Sequence, residues 1–119
     1  MIINNPFKKL AGYIVTYQAN RLYKKAVKFA DKRNEEEKTR IYVIEDPIHP
    51  RRLITLNRTQ FRKIKRNLRI YKGLPVSNIK DGAFYYTPDA QGKDAMSQGE
   101  ISLRRLGFTR MLLQRAKLL

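Results

Sequence analysis

The chain has 119 residues, 42% of them hydrophobic, with 26 Lys+Arg against 10 Asp+Glu and a formal charge of +16. That length holds one modest core and excludes two independent ones, and the apolar content excludes wholesale disorder. The absence of cysteine excludes disulfides, thiolate nucleophiles and Cys-based metal sites, while so large a charge repels itself and calls for an anionic partner, nucleic acid first.

The acids are unevenly placed: none precedes Asp31, none lies between Asp46 and Asp81, and none follows Glu100. Three long stretches are therefore purely cationic. Usage rich in Ile, Asn, Lys and Tyr, without Cys or Trp, resembles the bias of AT-rich genomes, small tailed-phage proteins among them, but carries no family motif. The N-terminal "MIINNPFKKLAGYIVTYQAN" has no basic region ahead of a continuous apolar run, so secretion through a signal peptide is not expected. Nowhere do about 18 apolar residues run together, so no membrane span is expected. The expected location is intracellular or within a virion.

Asn5-Pro6 has the form of a helix start, an Asn cap followed by Pro at the first helical position. A helix is predicted from about Pro6 to about Lys38. At about 100° per residue, Phe7, Leu10, Ala11, Ile14 and Tyr17 share one stripe. In the second half the apolar set becomes Ala19, Leu22, Tyr23, Ala26 and Ala30, rotated around the axis, so the helix bends or its halves face different neighbours. Beside it, Arg21, Lys24, Lys25, Lys28 and Lys32 fall at i, i+3, i+4, i+7 and i+11 and form a basic ridge. The mixed charges of "DKRNEEEKTR" then allow pairing one turn apart.

"RIYVIE" and "RRLITL" are rich in β-branched and aromatic residues, and the two prolines of "DPIHPR" between them favour a turn. A β-hairpin is predicted, with strands near Ile41–Glu45 and Arg52–Leu56. Alone it is marginal, so it must lie on a helix or gain a third strand, for which Gly82–Thr87 is the candidate. Asn57 and Gln60 have capping-box spacing at the start of a helix running to about Ile70. That helix carries Phe61, Ile64 and Leu68 on one stripe and is ended by Gly73 and Pro75. The polar, glycine-containing segment 87–99 reads as a loop or arm. A last helix begins near Glu100, with Ile101, Phe108, Leu112 and Leu119 on one line and Leu106 and Leu113 on another. The expectation is one small basic α+β domain over 1–119, in the approximate order α-β-β-α-β-α.

Catalysis finds few candidates. His49, the only histidine, sits in a proline turn, so no His pair can hold a metal and any Ser-His-Asp set would have to use it. Asp89 and Asp94 share a loop with Gly92, yet the calcium-loop ligand spacing is missing, and so are phosphate-loop, dinucleotide, nucleophile-elbow and zinc-protease patterns. No catalytic residue, metal or cofactor is assigned, and an enzyme is not expected.

Nucleic-acid binding is the better-supported class. "NRTQFRKIKRNLRIYK" holds seven basic residues in sixteen positions and no acid. Its helical phase separates the Phe61 stripe from Arg62, Lys63, Arg66 and Arg69, with Arg58 and Lys65 at the margins. Arg offers a planar fork to a phosphate and Lys a point charge, a mixture suited to tracking a backbone. Following a hairpin, the helix does not match the helix-turn-helix arrangement for base reading. "FYY" at Phe84–Tyr86 has rings that could stack on bases, although alternation puts Phe84 and Tyr86 on one face and core packing competes. The first helix also has membrane-surface features, but Gly12, Gln18 and Asn20 interrupt its stripe. The C-terminal line Ile101, Phe108, Leu112 and Leu119 is expected to meet a protein partner, being more apolar than a small domain can cover.

The function expected from sequence is a non-enzymatic structural protein of a large nucleoprotein assembly, a tailed-phage virion or ribosome-like particle. It would hold nucleic-acid backbone, salt-dependently, and neighbouring subunits. The alternatives are a free-standing DNA-binding accessory or regulatory protein, and an assembly factor neutralised by an acidic protein.

Overall fold

A computed structural model of the chain describes residues 6–68 and 79–119, without the side chains of Asn67 and Leu68. The expected Asn5 cap, the packing of Leu68, the position of Arg69 and the breaks at Gly73 and Pro75 lie outside the described residues. The fold is α+β: α1 (Pro6–Glu37), β1 (Tyr42–Glu45), β2 (Leu53–Leu56), α2 (Arg58–Leu68), α3 (Ile79–Gly82), β3 (Tyr85–Tyr86) and α4 (Gln98–Arg115). The strands form one antiparallel sheet in the order β2-β1-β3.

At 1.5 Å per residue, the 32 residues of α1 extend about 48 Å. It thus spans the long axis of a body measuring 51 × 31 × 19 Å. Its two apolar stripes have different fates. Ala19, Tyr23, Ala26 and Ala30 are buried, with Leu22 packed beside them, whereas Phe7, Leu10, Ile14 and Tyr17 are exposed. The halves of α1 therefore face different surroundings. Lys38 ends the helix in the left-handed region (φ 53°), its N–H bonding back to the Asn34 carbonyl at 2.8 Å. The Asn34 amide then ties this end down by donating to the carbonyls of Thr39 and Pro88.

The hairpin pairs Tyr42 with Leu56 and Ile44 with Ile54. In its turn, Asp46 Oδ1 accepts the N–H groups of Ile48 and His49, which accounts for that acid and places the lone histidine on an exposed turn. Side chains alternate across a strand, so Val43, Thr55 and Tyr85 share a face. That face meets the helices: the Tyr85 hydroxyl donates to Asp31 at 2.6 Å, Arg33 Nη1 donates to Thr55 Oγ1 at 3.1 Å, and Arg115 of α4 pairs with Glu45.

The third strand is shorter than the expected Gly82–Thr87. A helical turn takes its start, Ala83 N–H bonding to the Ile79 carbonyl, and Arg104 caps the Lys80 and Ala83 carbonyls. Tyr85 and Tyr86 alone are strand, flanked by single bonds from Phe84 N–H to Val43 and from Thr87 N–H to Ile41. At the start of α2 the capping box forms reciprocally. Asn57 Oδ1 accepts the Gln60 N–H at 2.8 Å and Gln60 Oε1 accepts the Asn57 N–H at 3.0 Å, an arrangement whose cap alone contributes about 1 kcal/mol.

Of the two readings of segment 87–99, the structure has the loop over 87–97, laid on the body, with Gln98 and Gly99 opening α4: Asp89 Oδ1 accepts the N–H groups of Gln91 and Lys93, and Met96 is buried with its sulfur accepting the Tyr86 N–H. One expectation is corrected. The face of α4 assigned to a partner is turned inward instead. Phe108 is 0% exposed and Leu112 5%, and Ile101 packs against the same core. The physical reason is the alanine-rich inner face of α1, which contributes little volume besides Tyr23. Phe108 fills that space, 6.5 Å from the Tyr23 ring and edge-on to Phe84 at 5.2 Å. Of the named line only Leu119 is exposed.

Candidate nucleic-acid interface

All five ridge residues of α1, Arg21, Lys24, Lys25, Lys28 and Lys32, are exposed, as are Arg58, Arg62, Lys63 and Arg66 of α2. Among the described residues, none of these nine forms an ion pair. Asp31, the one acid within the span of the ridge, accepts the Tyr85 hydroxyl. Burial, with that carboxylate close by, holds the Tyr85 phenol protonated far above its ordinary range. Tyr23 is similarly pushed up to about 12 by burial, its hydroxyl donating to the Phe84 carbonyl at 2.6 Å. Both phenols are fixed, neutral parts of the core.

The two basic helices adjoin at one corner. Arg33, in the last turns of α1, donates to the Glu37 carboxylate, the Thr55 carbonyl and Gln60 Oε1 in the first turn of α2. Its hydrogen bonds hold Glu37 below the usual carboxylate range, with Asn57 contributing. This corner consumes Arg33 and Glu37 internally and leaves Lys32 and Lys63 facing solvent beside it. Next to the ridge, a groove of about 640 Å³ runs between α1 and β2. Leu22, Ala26, Phe29, Leu53 and Ile54 line it, with Lys25, Arg33 and Arg52 among its walls. Phe29 is 57% exposed. Sequence reasoning missed both Phe29 and Arg52. The available signal was a phenylalanine between Lys28 and Lys32, outside the core stripe.

On the other side of the fold, cations are spent inside the molecule. Arg40, Lys80 and Arg104 surround the Tyr86 ring, 5.1, 5.1 and 5.5 Å from its centre. Asp94 accepts from Lys80 at 2.5 Å and from Arg40 at 3.0 Å, and Glu100 accepts from Arg104. The expected stacking cluster is packed into the fold: Tyr85 and Tyr86 are buried and Phe84 packs on Phe108, so these three rings are not laid open for stacking on bases. Charge is thereby sorted, with ion-paired cations around the loop and, on the α1 ridge and on α2, the nine exposed cations named above.

The Asp94 carboxyl is held below its usual 3.8 by Lys80 first and Arg40 second. A depressed folded-state value means that the contribution of this group is present above 3.8 and is lost as pH falls through the lower folded value. Lowering the pH through and below 3.8 is therefore expected to loosen the contacts of Asp94 with Lys80 and Arg40. Backbone NMR signals of residues 87–97 should shift together with a midpoint below 3.8, and Asp94→Asn should remove that step.

Among the described residues, no group of three or more His, Asp or Glu is placed to hold a metal ion, and no helix is long and apolar enough to cross a membrane. Comparison with protein-family models, curated proteins and solved structures finds no match to the chain.

Proposed function

We propose that the protein is a non-enzymatic structural subunit that holds a nucleic-acid backbone within a large nucleoprotein assembly, of the kind found in a tailed-phage virion or a ribosome-like particle. The observation carrying this reading is the sorting of charge. The chain holds 26 Lys+Arg and 10 Asp+Glu; Asp31, Glu37, Glu45, Asp94 and Glu100 are engaged with Tyr85, Arg33, Arg115, Arg40, Lys80 and Arg104, and Glu35 and Glu36 stand exposed on α1 beyond the end of the ridge. A surface left unneutralised in this way attracts phosphates, and each contact releases condensed counterions. Contacts of this type set position along the strand and carry no base information. Its place of work is inside a cell or a virion, beside other protein subunits.

The hairpin before α2 favours backbone holding over base reading, because α2 does not enter from a preceding helix as a recognition helix does. The test is Arg62→Gln combined with Arg66→Gln, measured against a panel of duplexes of different sequence. Affinity is expected to fall evenly across the panel, with the ranking unchanged. A reordered ranking would identify a sequence-reading regulator. Binding only to an acidic protein, with none to nucleic acid, would identify an assembly factor.

A further inference from the structure

The exposed stripe of α1 is not absorbed by the proposed function. Phe7, Leu10, Ile14 and Tyr17 are 81%, 56%, 49% and 68% exposed, and they alternate at three- and four-residue steps, the a and d spacing of a coiled coil. The same register continues into Arg21, Lys24 and Lys28, where the seam turns from apolar to cationic. Counted in this heptad, the buried Ala19, Tyr23, Ala26 and Ala30 fall at positions c and f, on the opposite side of the helix. The seam therefore points away from the body of its own protein.

We infer that this seam pairs with the same seam of a second copy, antiparallel, to form a two-fold dimer. Three observations select this occupant. The spacing from Phe7 to Tyr17 reads the same in both directions, so an antiparallel copy sets Phe7 against Tyr17 and Leu10 against Ile14. The positions flanking the seam, Pro6, Ala11, Tyr13 and Gln18, are uncharged, so two chains of +16 can meet there without like-charge contact at those positions. A parallel copy, by contrast, would set Arg21, Lys24 and Lys28 against themselves. The antiparallel arrangement sends the two basic ridges out from opposite ends of a closed, isologous interface.

The absence of cysteine from the chain makes the geometry directly testable by crosslinking. Sedimentation without nucleic acid is expected to show a monomer–dimer equilibrium that Ile14→Asp abolishes; Ile14 is exposed, so the variant should keep the wild-type circular dichroism. Mild oxidation of an equal mixture of Leu10→Cys and Ile14→Cys chains should then give the mixed disulfide in preference to either homodimer. A monomer at every concentration would overturn the inference. So would a dimer indifferent to Ile14→Asp, or preferential homodimer crosslinks, which indicate parallel pairing.

Discussion

Replacing Phe108 with alanine is expected to lower the unfolding free energy by about 3–5 kcal/mol, because a fully buried ring leaves a cavity as well as losing its burial. Phe108 is 0% exposed and touches Tyr23 and Phe84, so its loss weakens the seam between α1, α4 and the Phe84 segment together. Against a typical total of about 5–15 kcal/mol, this is a third of the stability or more. For a chain of this size the thermal midpoint should fall by roughly 10–20 °C, readable by calorimetry or circular dichroism. Leu103→Ala and Leu106→Ala, on the exposed side of the same helix, should stay within about 0.5 kcal/mol of the parent. The alternative assignment of Phe108 to a partner interface makes the opposite forecast, an isolated chain as stable as before.

The second large effect concerns the ridge. Changing Arg21, Lys25, Lys28 and Lys32 to Gln removes four exposed cations and is expected to weaken duplex binding by about three orders of magnitude at 0.1 M salt. The slope of log affinity against log salt should become shallower by about 3 to 4 units, close to one per phosphate contact. Stability should hardly change, because none of the four is buried or ion-paired. A variant that loses affinity through misfolding would betray itself by a changed thermal midpoint.

Local features were legible in the sequence because local rules set them. Period and prolines place α1 and the hairpin within a residue or two, and the Asn57–Gln60 capping box forms with the reciprocal bonds its spacing implies. The ridge is exposed because five cations on one face have nowhere else to go. What periodicity cannot say is which of two equivalent apolar stripes gets covered. The Phe7 stripe and the Ile101–Phe108–Leu112 line look alike as sequence, yet the first is exposed and the second packs into the core, since that depends on where α4 returns to α1. The Tyr86 cluster was out of reach for the same reason, as Arg40 and Asp94 are separated by 54 positions. Phe84–Tyr86 looked like a stacking surface only while the residues that cover it were unknown.

The central claim, that the unneutralised faces of α1 and α2 hold a phosphate backbone, meets its most direct test in one salt titration of the unmodified protein on a duplex of mixed sequence. Tight binding at low salt is predicted, falling with a log–log slope between about −4 and −8, as expected when four to nine cations each release a counterion. Absence of binding at low salt, or an affinity indifferent to rising salt, would contradict it.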